Sequence, residues 1–225
     1  MKNVLSGFIK QFINVLSRTI TETEFDVVQQ LMKKATLETI EYIEQNNLTR
    51  LVKRPGNQSL FGILKGRLND GIIIEFGVNK GGSINRLADL FPDRKIYGFD
   101  SFEGLPEDWT LLAKHDYDNE GRLPNVRKNV TLIKGLIQDT LPEFEDKSKI
   151  ALIHIDTDLY SAAKTIFEVL GNSINNTYIV FDEYWNFPGW KEEEHKAFME
   201  FINKSKKKFH YLAHNGFTNV LVKVE

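Results

Sequence analysis

The chain has 225 residues, Lys+Arg 29 against Asp+Glu 31, a net charge of -2 and no cysteine. That length suits one domain with an appended segment, and the balanced charge argues against nucleic acid as the partner, which leaves a basic footprint. The absent cysteines exclude disulfides, a thiolate metal site and a cysteine nucleophile. Hydrophobic residues make up 41% and aromatics 12%, enough for a sizeable core, yet no stretch approaches the ~18 apolar residues of a membrane span. The start, Met1 to Phe8, is too polar for a signal peptide, so a cytoplasmic protein with no membrane partner is expected.

Two helices are predicted first, over 7–20 and 24–45. Thr21 and Glu24 have capping-box spacing, and Phe25, Val28, Leu31, Met32, Ala35 and Ile40 form an apolar stripe. The stripe reads as a packing face against the domain or a second subunit, so a homo-oligomer is expected. Residues 48–70 read as a connector with a short helix. Residues 1–70 are thus expected to form an N-terminal helical segment, a lid or oligomer contact.

From Gly71 on, strands and helices alternate. Strands are expected at 71–76, 95–100, 130–134, 150–156 and 177–182, and helices near 83–91, 161–170 and 191–206. The polar stretch 102–129 is long for a loop, and such loops are often functional. Phe209 to His214 and Phe217 to Val224 read as a hairpin joined at Asn215-Gly216. The fold class expected is α/β. It is a Rossmann-like, mostly parallel sheet over 71–225 with one antiparallel C-terminal strand, the architecture of S-adenosylmethionine (SAM) methyltransferases.

Gly71 to Ser83 organises the rest. Ile72 to Ile74 read as a strand buried on both faces, followed by Glu75-Phe76-Gly77, a turn with Gly81-Gly82, and Ser83 placed to cap a helix. The next strand ends in Asp100, where an acid takes ribose hydroxyls. Pyrophosphate wants a helix N-terminus free of anions, whereas Glu75 attracts a cation. SAM carries an ammonium and a sulfonium and no phosphate, so the stretch favours SAM over NAD. The plainer alternative is an α/β turn with a buried glutamate.

A second constellation is acidic. In Ile150 to Tyr160, period two puts His154, Asp156 and Asp158 on one side, and Phe181-Asp182-Glu183-Tyr184 repeats the acidic tip one strand later. Neighbouring strands lie ~4.8 Å apart, so the tips converge, and a hard divalent cation such as Mg²⁺ or Ca²⁺ relieves their repulsion. The alternative is that one or two acids cap helices, Asp158 for the helix from Ser161. His154 reads as a hydrogen-bonded core histidine, with a role as base only if Asp158 fails. Gln138 and Asp139 follow the third strand and contact adenine or cap a turn. Trp109, Trp185 and Trp190 fall in rim loops, where they hold a sugar ring or form a lid.

Glu75 to Ser83, Gly98-Phe99-Asp100-Ser101-Phe102-Glu103-Gly104-Leu105-Pro106, His154 to Tyr160 and Phe181 to Tyr184 together resemble the macrocin O-methyltransferase family. The resemblance runs over about residues 70 to 202. It implies a SAM- and Mg²⁺-dependent enzyme that methylates sugar hydroxyls of glycosylated natural products. By resemblance Glu75, Gly77, Ser83, Asp100 and Ser101 bind SAM; Phe76, Gly81 and Asp156 belong to the same cofactor site. Asp156, Asp182 and Glu183 hold the metal and Asp158 is the general base. The family usually has two aspartates where this chain has Asp182-Glu183. Two other classes stay open: a nucleotide- or nicotinamide-dependent oxidoreductase, and a non-catalytic SAM-binding protein.

Overall fold

Isoleucine-rich runs set the centre of the sheet. In the computed structural model, which describes residues 26–53, 60–110, 114, 116–146 and 148–225, every residue of β2 (Ile72–Phe76), β5 (Ile150–Ile155) and β6 (Thr177–Phe181) is buried. β-branched residues fit a strand covered on both faces. Around them run β1 (Val52–Lys53), β3 (Ile96–Asp100), β4 (Val130–Lys134), β7 (Phe209–His214) and β8 (Val220–Val224), in the order β1-β7-β8-β6-β5-β2-β3-β4. β3, β4, β5 and β6 extend β2 as a parallel sheet. β8 runs antiparallel to both β6 and β7, and β1 adds a short parallel edge beside β7. The chain steps outward from β2 to β3 and β4, then returns to β5 on the other side of β2. That reversal opens a crevice at the carboxyl ends of β2 and β5.

The helices are α1 (Val27–Gln45), α2 (Gly82–Leu90), the single turn α3 (Ile137–Thr140), α4 (Tyr160–Leu170) and α5 (Glu194–Ser205). Strand alternation sorts the core into two layers. Ile72, Ile74 and Phe76 pack with Phe167 of α4 and Phe198 of α5, while Ile73 packs with Ile84 and Leu87 of α2 and with the 3₁₀ turn Leu60–Leu64. Among the described residues no helix is long and apolar enough to cross a membrane.

Several local expectations are corrected. The first described helix starts at Val27, because the Asp26 carboxylate accepts from Val28 N–H and Gln29 N–H and ends the extended backbone there. The Thr21–Glu24 spacing, Phe25 and the helix over 7–20 lie outside the described residues. Of the stripe on α1 only Ala35 is buried; Val28, Leu31, Met32 and Ile40 are exposed, and the helix is held instead through Thr39, Tyr42 and Ile43. Ser83 does not cap α2, whose N-cap is Gly81 at φ 80; its hydroxyl donates to Glu75. In the C-terminal hairpin the Asn215 side chain accepts from Phe217 N–H and Asn219 N–H, which keeps Phe217 in the turn and starts the strand at Val220. Trp185 and Trp190 are core side chains, so neither offers its face to a sugar, while Trp109 is half-buried and packs on Phe187.

Gly77 is where the sheet meets the crevice. Its φ is 84, and a Cβ there would sit 1.7 Å from the Asp156 carbonyl oxygen. Gly77→Ala therefore combines backbone strain with a clash, and we expect a loss of at least ~2 kcal/mol in urea unfolding, or no folded protein. A wild-type midpoint would show that β2 and β5 are not packed this closely.

Candidate active site

In-register strands align the site residues. The ladder continues one step past the strand ends: Gly77 N–H donates to Phe99 O, Asp156 N–H to Phe76 O and Asp182 N–H to Ile155 O, each at 2.9 Å. Gly77, Asp156 and Asp182 therefore stand side by side at one level. They line a cavity of about 290 Å³ at the carboxyl edge of the sheet.

One wall of the cavity is formed by Gly77, Asn79, Asp100, Ser101, Leu136 and Gln138. Asp100 Oδ2 accepts from Val78 N–H and Asn79 N–H, both at 2.7 Å, and Oδ1 accepts from Phe102 N–H at 2.6 Å. One carboxylate thus braces the glycine turn and starts the next loop. Ser101 Oγ donates to Gly104 O and accepts from Glu103 N–H. The stretch 102–129 folds back on itself through the Glu103–Asp118 bridge, and it brings Leu105, Pro106 and Tyr117 to the rim.

Other residues singled out in the sequence lie off the wall. Glu75 is fully buried; Oε1 accepts from Ser83 Oγ and Oε2 pairs with His154 Nδ1, each at 2.9 Å. The plainer reading of a buried glutamate describes its contacts, and both oxygens are already engaged. Phe76 stacks on Phe99 in the core. Gly81, Ser83 and Asp139 are not among the lining residues. His154 sits beneath the floor. Burial would lower its pKa, but the Glu75 hydrogen bond and charge override this and raise it to about 9. That direction favours the protonated imidazole, which has no free lone pair to take a proton.

The opposite wall is acidic. Carboxylate oxygens of Asp156, Asp158 and Glu183 lie within 4.8 Å of one another, and so do ligand atoms of His154, Asp156 and Asp182. β5 ends at Ile155, so Asp158 does not arrive by strand alternation. It sits at φ 63 in a tight turn closed by Leu159 N–H donating to Thr157 O at 2.7 Å. Withdrawal from water pushes the Asp156 and Glu183 carboxyls well above the usual range, and the neighbouring charge of Asp182 adds to it. Burial raises Asp158 to about 6, opposed by a hydrogen bond from Glu183. Asp182 is oriented by the Asn219 side chain, a partner that no sequence motif marks. Glu183 Oε2 is buried with no hydrogen-bond partner. An orphaned carboxylate oxygen among crowded acids fits a hard divalent cation held by oxygen ligands.

Residues 74–184 match a family model described as a methyltransferase domain. No curated protein matches the sequence. Similar solved structures include CalS11, a TDP-rhamnose 3'-O-methyltransferase of calicheamicin biosynthesis, at 23% identity and TM-score 0.50 over 68% of this chain and 71% of that one. The O-methyltransferase NovP is similar at 19% identity and TM-score 0.50, over 72% of this chain and 74% of its own. A CmcI structure described with Mg and SAM aligns at 15% identity and TM-score 0.50, over 73% of this chain and 68% of its own. At these identities the likeness concerns architecture. The sheet has the Rossmann-like architecture of these methyltransferases.

The crowded acids make metal binding measurable without an acceptor. Groups with raised folded pKa values hold more protons folded than unfolded, so stability falls as pH rises. Asp158 loses its part between 3.8 and about 6, and His154 between 6.5 and about 9. A divalent cation bound among these acids would take the place of the protons. We expect Mg²⁺ to raise Tm more at pH 8 than at pH 5, by ~2.7 kcal/mol of added stability at a hundredfold excess over Kd. A Tm that ignores Mg²⁺ at pH 8 would remove the metal from the site.

Proposed function

We propose that the protein transfers the methyl group of SAM to a hydroxyl of a sugar or glycosylated small molecule, with Mg²⁺ and an aspartate base. One observation carries the reading: the glycine-turn wall and the four carboxylates Asp156, Asp158, Asp182 and Glu183 face the same cavity. The sequence resemblance to the macrocin O-methyltransferases points the same way, and CalS11, a neighbour in fold, acts on TDP-rhamnose. In this reading residues 71–225 carry the methyltransferase domain, and from the segment 1–70 the strand β1 and the turn Leu60–Leu64 join its sheet and core.

SAM, when bound, supplies a methyl group on a positively charged sulfur. Gly77 lines the cavity through its backbone, its missing Cβ leaving room for the Asp156 carbonyl, while Asp100 and Ser101 would hold the ribose and Gln138 and Leu136 the adenine. Asp156, Asp182 and Glu183 would hold a divalent cation, which would supply positive charge to a developing alkoxide. Asp158 takes the hydroxyl proton, and its pKa of about 6 suits a base working near neutral pH. Protonated His154, anchored by Glu75, offsets part of the negative charge from below. A nicotinamide cofactor is disfavoured here, because its pyrophosphate would face Asp156 and Asp182. A protein that only held SAM would not need Asp158.

Calorimetry with SAM and with NAD, each with and without Mg²⁺, tests the cofactor: micromolar NAD binding without SAM binding overturns the proposal. For the base, Asp158→Asn should keep SAM and Mg²⁺ binding while turnover on a nucleotide-sugar or glycoside acceptor falls by ~10²–10⁴-fold. Methyl transfer that survives exhaustive chelation unchanged would rule out the metal.

A further inference from the structure

Asp158 needs something to hold it. A non-glycine residue at φ 63 inside a turn closed by an i to i+2 hydrogen bond is in a strained conformation, and such strain persists only where the surroundings enforce it. Leu159, at the N-cap of α4, contributes no side-chain hydrogen bond to the helix start. The restraint comes from another part of the chain. Glu194, the first residue of α5, has no exposed surface, and its Oε1 accepts from both Thr157 N–H at 3.1 Å and Thr157 Oγ1 at 3.2 Å. Glu193, one residue earlier, accepts from Tyr160 N–H at 2.8 Å, the first amide of α4. Two consecutive glutamates thus grip the chain on either side of Asp158. Neither lines the cavity.

We propose that Glu193 and Glu194 are positioning residues: a paired clamp that holds the Asp156-Thr157-Asp158 turn in the geometry that binds the divalent cation and aims Asp158 at the acceptor. The role in metal and acceptor geometry rests on the proposed function; the clamp itself does not. Glu194 Oε2 is buried without a partner, so the side chain's hydrogen bonds to the turn run through Oε1. Burial pushes the Glu194 carboxyl well above its usual range, which makes glutamine its nearest mimic. Of the three consecutive glutamates Glu192-Glu193-Glu194, Glu192 forms an exposed ion pair with Lys196 instead.

The test uses the full chain and Mn²⁺ as the spectroscopic stand-in for Mg²⁺. Amide hydrogen exchange is read first, with neither metal nor SAM present. In Glu194→Leu the amides of Thr157 and Leu159 should exchange at least ~tenfold faster while Val180 in β6 is unchanged, and Glu194→Gln should keep wild-type protection. Mn²⁺ titration followed by electron paramagnetic resonance should show Glu194→Leu and the double variant Glu193→Ala/Glu194→Leu weakened by ~10–100-fold, the usual effect of losing a partner behind a metal ligand, and Glu194→Gln near wild type. SAM affinity should not change, because Gly77, Asp100 and Gln138 are untouched. If Glu194→Leu does not fold, Thr157→Val, which deletes one of the two bonds at constant volume, carries the same comparison with a smaller loss. Unchanged exchange at Thr157 and Leu159 overturns the clamp. Faster exchange with unchanged Mn²⁺ affinity overturns its positioning role. Wild-type protein that binds neither Mn²⁺ nor SAM overturns the proposed function instead, and the exchange result still decides the clamp.

Discussion

A carboxylate with no exposed surface must find donors inside the protein, and Glu75 finds them on two different elements. Ser83 reaches it from the first turn of α2 and His154 from the neighbouring strand β5. Removing either partner would leave a buried charge short of a bond. The pair also fixes register, because Glu75 and His154 are direct neighbours across the β2–β5 ladder. A slip of either strand by one residue would turn its member of the pair to the opposite layer, toward Phe167 and Phe198, and break the bond. The start of α2, the alignment of the two central strands and the charge beneath the cavity therefore depend on one buried interaction.

That register has chemical consequences at the strand ends. Because β2, β5 and β6 run parallel and in step, Gly77, Asp156 and Asp182 are delivered to the same level. Topology supplies the empty space above them, since the chain leaves β2 in one direction and returns on the other side. The sheet thus concentrates negative charge where a cavity must form. The positive imidazole below and the orphaned oxygen of Glu183 above are two sides of the same electrostatic imbalance.

Around this core the polar connections are long-range. Asp100 holds the glycine turn through backbone amides, and Asn219 in the C-terminal turn orients Asp182. The segment after Asp182-Glu183 is tied to α1: Asn186 N–H donates to Thr39 Oγ1, and Thr36 Oγ1 donates to Asn186 Oδ1. The phenols of Tyr42 and Tyr184 meet at Tyr211, each at 2.7 Å. A helix outside the parallel sheet thus fixes the loop that carries two of the acids. Tyr184 is buried and Tyr42 and Tyr211 are half-buried in one aromatic cluster, which shields this linkage in part from competing water.

From Gly71 on, local signals in the sequence mark all the strands and the three longer helices, though not the single turn Ile137–Thr140. β-branched runs mark buried strands, glycines mark the turn, and acids follow the strands that end at the crevice. Gly77, Asp100, Asp156, Asp158, Asp182 and Glu183 could all be placed on one sheet edge from spacing alone, and all line one cavity. The sequence could not say which polar side chains are already occupied, since that depends on partners far away in the chain. Ser83 reads as a helix cap and is claimed by Glu75; Trp185 and Trp190 read as rim aromatics and are enclosed by Tyr42, Tyr211 and His195. Asp158 reads as the next step of a strand, yet the strand stops at Ile155 and a turn carries it instead. Tertiary packing decides such cases, because burial makes every polar group find its partner wherever the fold brings one within hydrogen-bond reach.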